Sequence, residues 1–299
     1  MDLQNCTICP RNCGVDRTAG QTGYCGQTNE LKAARAALHM WEEPCISGQT
    51  GSGTVFFSGC NMGCVFCQNY TISKGLAGRN ISSGRLAEVF LELQEKNACN
   101  INLVTPTHFL PQIIEALKTA KAEGLSIPVV YNTSSYEKAE TLKYLEGWVD
   151  IYLPDLKYLS SVLSKKYSHA EDYFSYAAPA IAEMVRQTGP PIFEGELMAK
   201  GVIVRHLALP GCLEDSKAIL RILYETYRND IYVSIMNQYT PVFKFLNAEK
   251  YPELNRTVTS EEYDELVDYA IALGVENGFI QEGETFSESF IPPFDCSGI

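Results

Sequence analysis

From residue 54 onward, short runs rich in β-branched and aromatic residues alternate with longer amphipathic stretches. No other feature constrains the fold as strongly. The runs are TVFFSG, INLVTPT, PVVYN, DIYLPDL, GVIVRHLAL and IYVSIMNQ, starting near residues 54, 101, 128, 150, 201 and 231. Between them Leu86, Val89, Phe90 and Leu93 recur at i, i+3, i+4 and i+7. Leu110, Ile113, Ile114 and Leu117 do the same, with Pro111 where a first helical turn accepts it. Thr259 followed by Glu262 is a capping-box signal opening a helix through Leu266, Val267 and Ile271. Strands separated by helices connect through right-handed crossovers, so a parallel α/β sheet is expected, open or closed into a barrel. Six such units are fewer than the eight of a complete TIM barrel. Residues 1–53 do not follow the alternation and are expected to form a separate cysteine-rich module, with the α/β domain over 54–282 and an irregular tail over 283–299.

In either form of parallel α/β fold, chemistry gathers at the carboxyl ends of the strands. The residues there are the Cys60 loop, Thr105 to His108, Asn132 to Ser134, Asp155 to Lys157, Arg205 to Gly211, and Asn237 with Gln238. Each is a polar set following an apolar run, and all are expected on one rim.

Composition narrows the partners. The net charge of -12, with no basic run, argues against a nucleic-acid ligand, which needs a concentrated basic surface. No apolar stretch approaches bilayer-spanning length, and the start MDLQNCTICPRNCG lacks the basic and apolar regions of a signal peptide, so a cytoplasmic protein is expected. In that compartment eleven cysteines, an odd number, point to metals or clusters before disulfides.

Seven of those cysteines fall in two groups. Cys60, Cys64 and Cys67 sit in GCNMGCVFCQNY, a C-x3-C-x2-C run in the turn after the first expected strand. Three thiolates suit a cubane 4Fe-4S cluster whose fourth iron is left open, as a catalytic zinc site keeps one position for a ligand. Incidental buried thiols are the competing explanation. Cys6, Cys9, Cys13 and Cys25 form a complete set of four soft ligands, suited to zinc or to a second iron-sulfur cluster.

The three-cysteine spacing, with Phe66 before the last cysteine and Gly59 and Gly63 giving the backbone room to wrap, resembles the signature of the radical S-adenosylmethionine (SAM) superfamily. Along the whole chain, CTICPRNCGVDR, EEPCISG, FFSGCNMGCVFCQNY, INLVTPTHF, IYLPDLKY and VIVRHLALPG resemble uncharacterised relatives of the pyruvate formate-lyase activating enzymes. The resemblance implies a partial, six-unit β/α barrel of the radical SAM type. It also implies an anaerobic oxidoreductase in which SAM chelates the open iron and is reductively cleaved to a 5′-deoxyadenosyl radical that abstracts hydrogen. A flavodoxin- or ferredoxin-like reductant and a glycyl-radical enzyme or peptide partner follow from the same likeness.

Site residues are implied in the same way. Where many superfamily members carry a Gly-Gly-Glu type motif for the SAM amino group, this chain has Thr105-Pro106-Thr107-His108, so Thr105 and Thr107 are assigned there without an anionic contact. Asn132-Thr133 and Asp155-Leu156-Lys157 match by position the activating-enzyme residues around a monovalent cation beside the SAM carboxylate, with Asn in place of Asp. Arg205 lies inside an apolar run and needs an anion, either the SAM carboxylate or an internal acid. His206 then faces the other way. Asn237 and Gln238 are candidates for ribose or adenine, or simply cap the strand end.

GQTGSGT at 48–54 lacks the Lys-Ser/Thr of a phosphate-binding loop and runs into a strand, so it is an approach loop. The sequence thus points to a radical SAM enzyme. The alternatives are one that acts on a small molecule, favoured by a deep closed pocket, and a non-catalytic iron-sulfur electron carrier or scaffold.

Overall fold

A computed structural model of the chain describes residues 1–241, 249–281 and 291–299. Within them one sheet of ten strands dominates: β1 (Lys32–His39), β2 (Ser52–Phe57), β3 (Arg79–Asn80), β4 (Ile101–Val104), β5 (Val129–Thr133), β6 (Ile151–Pro154), β7 (Ile192–Glu194), β8 (Leu197–Leu207), β9 (Tyr232–Met236) and β10 (Gly278–Ile280). The spatial order is β10-β9-β8-β6-β5-β4-β2-β1-β3, with β7 on the side of β8. The six expected strands appear as β2, β4, β5, β6, β8 and β9, all parallel. β10 adds a seventh parallel strand against β9.

β1 was grouped with the N-terminal module by sequence, but it pairs antiparallel with β2 and places Ala36 opposite Val55 in the same sheet. The chain end lies along it: Ala36 N–H donates to the Ser297 carbonyl and Cys296 N–H to the Ala34 carbonyl, each at 2.9 Å. Residues 283–290 of the expected tail lie outside the described residues.

Parallel strands covered on both faces are apolar on both, and β4, β5 and β6 are buried throughout. Outward residues Val129, Tyr131, Tyr152, Val202, Val204, Val233 and Ile235 enter the main core beneath the helices. Helix Ser83–Glu95 buries Leu86, Val89, Phe90 and Leu93, and is capped by the Ser82 hydroxyl accepting from Arg85 N–H. Each such side chain contributes roughly 1.5–3 kcal/mol on burial. Helix Leu110–Ala122 begins around Pro111 as expected, and Thr259 with Glu262 completes the capping box of helix Ser260–Leu273. There Leu266 is buried, whereas Ile271 faces solvent.

Inward residues divide into two layers. Val130, Ile151, Leu153 and Ile203 pack with Met198 against Cys45 and Ile46 of the short helix Pro44–Ser47, which plugs the barrel interior. Asn100 anchors the plug: its amide donates to the Ile46 carbonyl at 2.8 Å and its Oδ1 accepts from Ser52 Oγ at 2.6 Å. Two residues further along the same strands stand Asn132, Asp155 and Arg205, which line a cavity above the plug. Side-chain alternation in a strand thus turns one inward stripe from apolar floor to polar rim.

No helix among the described residues is long and apolar enough to cross a membrane. Residues 1–31 contain no helix or strand and wrap against the rim.

Candidate functional site

The cavity has a volume of about 680 Å³ and lies at the carboxyl ends of the parallel strands. Cys60, Cys64 and Cys67 form one wall. Gly59, just ahead of them, has φ +90°, and a Cβ there would lie 2.6 Å from the Cys25 carbonyl oxygen, so only glycine allows this approach. Met62 N–H points to Cys60 Sγ at 3.4 Å, and Ser168 Oγ donates to Cys64 Sγ at 2.9 Å. Burial pushes the Cys64 thiol up against the pull of Lys157, and pushes Cys67 up to about 12. Thiols so placed ionise against a positive charge. Three soft donors opening on one cavity, with donors aimed at two of the sulfurs, have the chemistry to hold an iron-sulfur cluster with one coordination position left to a ligand.

Opposite them is a network of buried charge. Arg205 donates to Asp155 at 3.0 Å, to Glu42 at 3.1 Å and to Asn132 Oδ1 at 2.5 Å. Lys157 Nζ bonds the other Asp155 oxygen at 2.6 Å. Within the protein, Arg205 is thus paired with internal acids. Burial works against ionised Asp155, but Lys157 and Arg205 outweigh it and hold the carboxyl below its usual range. Burial pushes Glu42 upward against Arg205 and the amides of Asn102 and Asn132. Of the side chains expected around a monovalent cation, Asp155 and Asn132 are bonded by Arg205 and Lys157, and the Thr133 hydroxyl donates to Glu137.

Thr105 also lines the cavity, with its N–H on the Asn132 carbonyl at 2.9 Å and φ +57°. A β-branched residue in the left-handed region is strained, and such strain gathers at functional sites. Thr133 and Gln238 reach the same cavity, and Gln68 ties the cysteine loop to the Gln238 carbonyl at 2.8 Å.

Two assigned residues are not among those lining the cavity. Thr107 enters a 3-10 turn, Thr107–Phe109, and its hydroxyl donates to buried Glu137 at 2.6 Å. Asn237 follows the alternation of β9: Met236 and Gln238 face inward, while Asn237 sits behind them with its N–H on Gln281 Oε1 at 2.7 Å. His108 is buried on the Ser58 carbonyl, and burial lowers it to about 4. His206 points away from Arg205 onto Leu156 O and Ser216, as alternation required.

Sequence reasoning missed Glu42, Glu43 and Glu137. Glu42 and Glu43 are delivered by the turn between β1 and the plug. Glu137 accepts hydroxyls from Thr107, Thr133 and Tyr131 at 2.6, 2.7 and 3.1 Å, and burial pushes it up to about 7. The signal for the first two was a pair of acids directly before Pro-Cys-Ile; for Glu137 there was none.

All eleven cysteines are free thiols. Cys6, Cys9, Cys13 and Cys25 are near neighbours in the N-terminal segment, with Tyr24 N–H on Cys13 Sγ at 3.2 Å and burial pushing Cys9 up to about 12. Among the described residues no three His, Cys, Asp or Glu side chains converge as ligands of a single metal ion. The segment is clamped to the three-cysteine loop. Arg11 lies 3.8 Å over the Tyr24 ring and donates to the Asn61 and Met62 carbonyls, and Tyr24 OH donates to Met62 O at 3.1 Å. Cys45 is buried in the plug, as a small hydrophobe would be.

Comparison with known proteins agrees with this geometry. The radical SAM superfamily model matches residues 54–188. An uncharacterised protein of Methanocaldococcus jannaschii, MJ0674, is 30% identical over 278 residues, covering 90% of this chain and 75% of that protein. Streptococcus suis SuiB, solved with its precursor peptide SuiA, superposes with a TM-score of 0.53 at 14% identity over 77% of this chain and 48% of that one. HydG, a maturase of the [FeFe]-hydrogenase, gives 0.51 at 16% over 75% and 50%. The chain spans about half the length of these solved structures, and at such identities they speak to the fold. With an open, largely parallel α/β sheet, three cysteines after its first parallel strand, a radical SAM model matching residues 54–188 and a relative matched along most of its length, this chain belongs to the radical SAM superfamily.

Proposed function

We propose that Cys60, Cys64 and Cys67 hold a 4Fe-4S cluster, and that the protein uses it to cleave SAM and direct hydrogen abstraction at a peptide or glycyl-radical-enzyme partner. The observation that carries this reading is the cavity itself, where the three thiols face Thr105, Asn132, Asp155, Lys157 and Arg205. The cluster would supply the electron for SAM cleavage; the chain's own groups bind, orient and exclude water. Thr105 offers a strained backbone turn and a hydroxyl to the SAM ammonium. Lys157 and Arg205, both kept charged by Asp155, present cations toward the SAM carboxylate, and Gln238 an amide toward the nucleoside.

Volume favours a peptide over a second whole metabolite. A cavity of about 680 Å³ suits one drug-sized ligand, so with SAM seated the remainder takes a side chain. SuiB, whose fold is similar, was crystallised with its precursor peptide. The N-terminal thiols Cys6, Cys9, Cys13 and Cys25 would have to draw closer together than they stand here to hold zinc or a second iron-sulfur cluster, and such a metal would then order a segment without regular secondary structure. Clamped against the cysteine loop, that segment is also where a flavodoxin- or ferredoxin-like donor would deliver electrons in the cytoplasm.

The test is 5′-deoxyadenosine formation after anaerobic reconstitution, with SAM and a strong reductant, comparing wild type with Cys64→Ala. Product from wild type alone is expected. A fully loaded wild-type protein that neither binds nor cleaves SAM would favour the electron-carrier alternative. Iron, sulfide and zinc analysis of a Cys60/Cys64/Cys67→Ala protein tests the N-terminal site on its own.

A further inference from the structure

One carboxylate on the cavity wall has no counterpart. Glu43 is 8% exposed and lines the cavity; the Ser234 hydroxyl bonds its carboxylate, but its Oε2 has no hydrogen-bond partner among the described residues. Glu42 beside it is paired with Arg205, and Asp155 is shared by Arg205 and Lys157. Arg205 is near enough to attract Glu43, yet its donors go to Asp155, Glu42 and Asn132. Three acids thus face two bases, and Glu43 is the acid left over.

Burial of an unpaired carboxylate is expensive, so this corner favours a cation. Burial pushes the Glu43 carboxyl up against the pull of Arg205 and the Ser234 hydroxyl, Glu42 adds to the upward push, and a cation bound at Oε2 would oppose both. A cluster on three thiolates is anionic and SAM is cationic, so seating both leaves the deficit as it was. The surroundings suit an amine. Ser234 stands beside Glu43, Phe279 is its cross-strand neighbour on β10, and Trp41 lines the same cavity. A buried carboxylate oxygen without a donor accepts a charge-assisted hydrogen bond from an ammonium, and aromatic residues lining the same cavity tolerate its alkyl chain.

We propose that Glu43 determines substrate specificity by binding a protonated amine of the peptide substrate within the cavity. This rests on the peptide-directed reading above and names the chemistry of the side chain presented. The test uses anaerobically reconstituted protein and two probes that differ by one ammonium, Nα-acetyl-lysine methylamide and Nα-acetyl-norleucine methylamide. Their binding is followed by saturation-transfer NMR, and SAM binding by equilibrium dialysis on the same samples.

Wild type is expected to bind the lysine probe about tenfold tighter than the norleucine probe, the range a close charge pair supplies. Glu43→Gln should erase the preference, Glu43→Asp should keep part of it, and SAM affinity should hold in both. Equal binding of the two probes by wild type overturns the proposal without need of a variant. So does a preference that survives in Glu43→Gln. Loss of SAM affinity in a folded Glu43→Gln protein also overturns it, by reassigning Glu43 to SAM. Wild type that selects the lysine probe but does not bind SAM upholds the amine site and removes the radical SAM reading instead.

Discussion

Floor and rim of the barrel interior are built on the same strands, often two residues apart, yet they obey different physics. Leu153 and Ile203 on the floor meet the plug through apolar contact alone, whereas Asp155 and Arg205 above them meet through charge and hydrogen bonds. On the floor a lost group leaves a cavity whose neighbours are indifferent to charge. On the rim a lost group leaves its partners ionised and dry. The difference teaches that the rim is the more fragile layer, though the floor contributes more apolar burial.

The sharpest way to break this comparison is Arg205→Ala. It strips the guanidinium from Asp155 and Glu42 together and should cost about 3–5 kcal/mol, read from urea unfolding. Leu153→Ala should cost about 2–4 kcal/mol while leaving SAM affinity per folded molecule unchanged; altered affinity would show that floor and rim act as one unit.

Glu137, beneath the rim, gives a pH signature. Its folded-state value is about 7 against an ordinary 4.5, because burial favours the protonated form. The folded state therefore holds the proton more tightly. Its contribution is complete below pH 4.5 and lost as pH rises through 7, on the order of 1–3 kcal/mol. A stability profile across this window should lose that component in Glu137→Gln. Thr259→Ala, far from both layers, should cost only about 1 kcal/mol through loss of a helix cap, and gives the scale of a surface feature.

What was legible followed from burial and period. Strands buried on both faces spell themselves out as Val-, Ile- and Tyr-rich runs, and the parallel fold then named the rim through their last residues. Thr107 and Asn237 do not line the cavity because a turn, or one more residue past the strand end, reverses direction. β1 escaped because KAARAALH is alanine-rich and intrinsically helical; its pairing with β2 overrides that preference. Missing β1 hid the turn after it, and with it Glu42 and Glu43. Their role is set by a chain path into the barrel that no local pattern encodes.

The plug carries a consequence for synthesis. Cys45 and Ile46 are made early, but the residues that cover them extend to Ile203. At about 5–20 residues per second, roughly 8–30 seconds pass between emergence of the plug and completion of its socket. During that wait its closure is long-range and slow, and the Cys45 thiol, pushed up to about 12 once folded, stands in the open at its ordinary reactivity. Oxidation there would add polar oxygens to a side chain whose place in the floor is apolar, so oxidant present during synthesis is expected to lower the yield of folded protein.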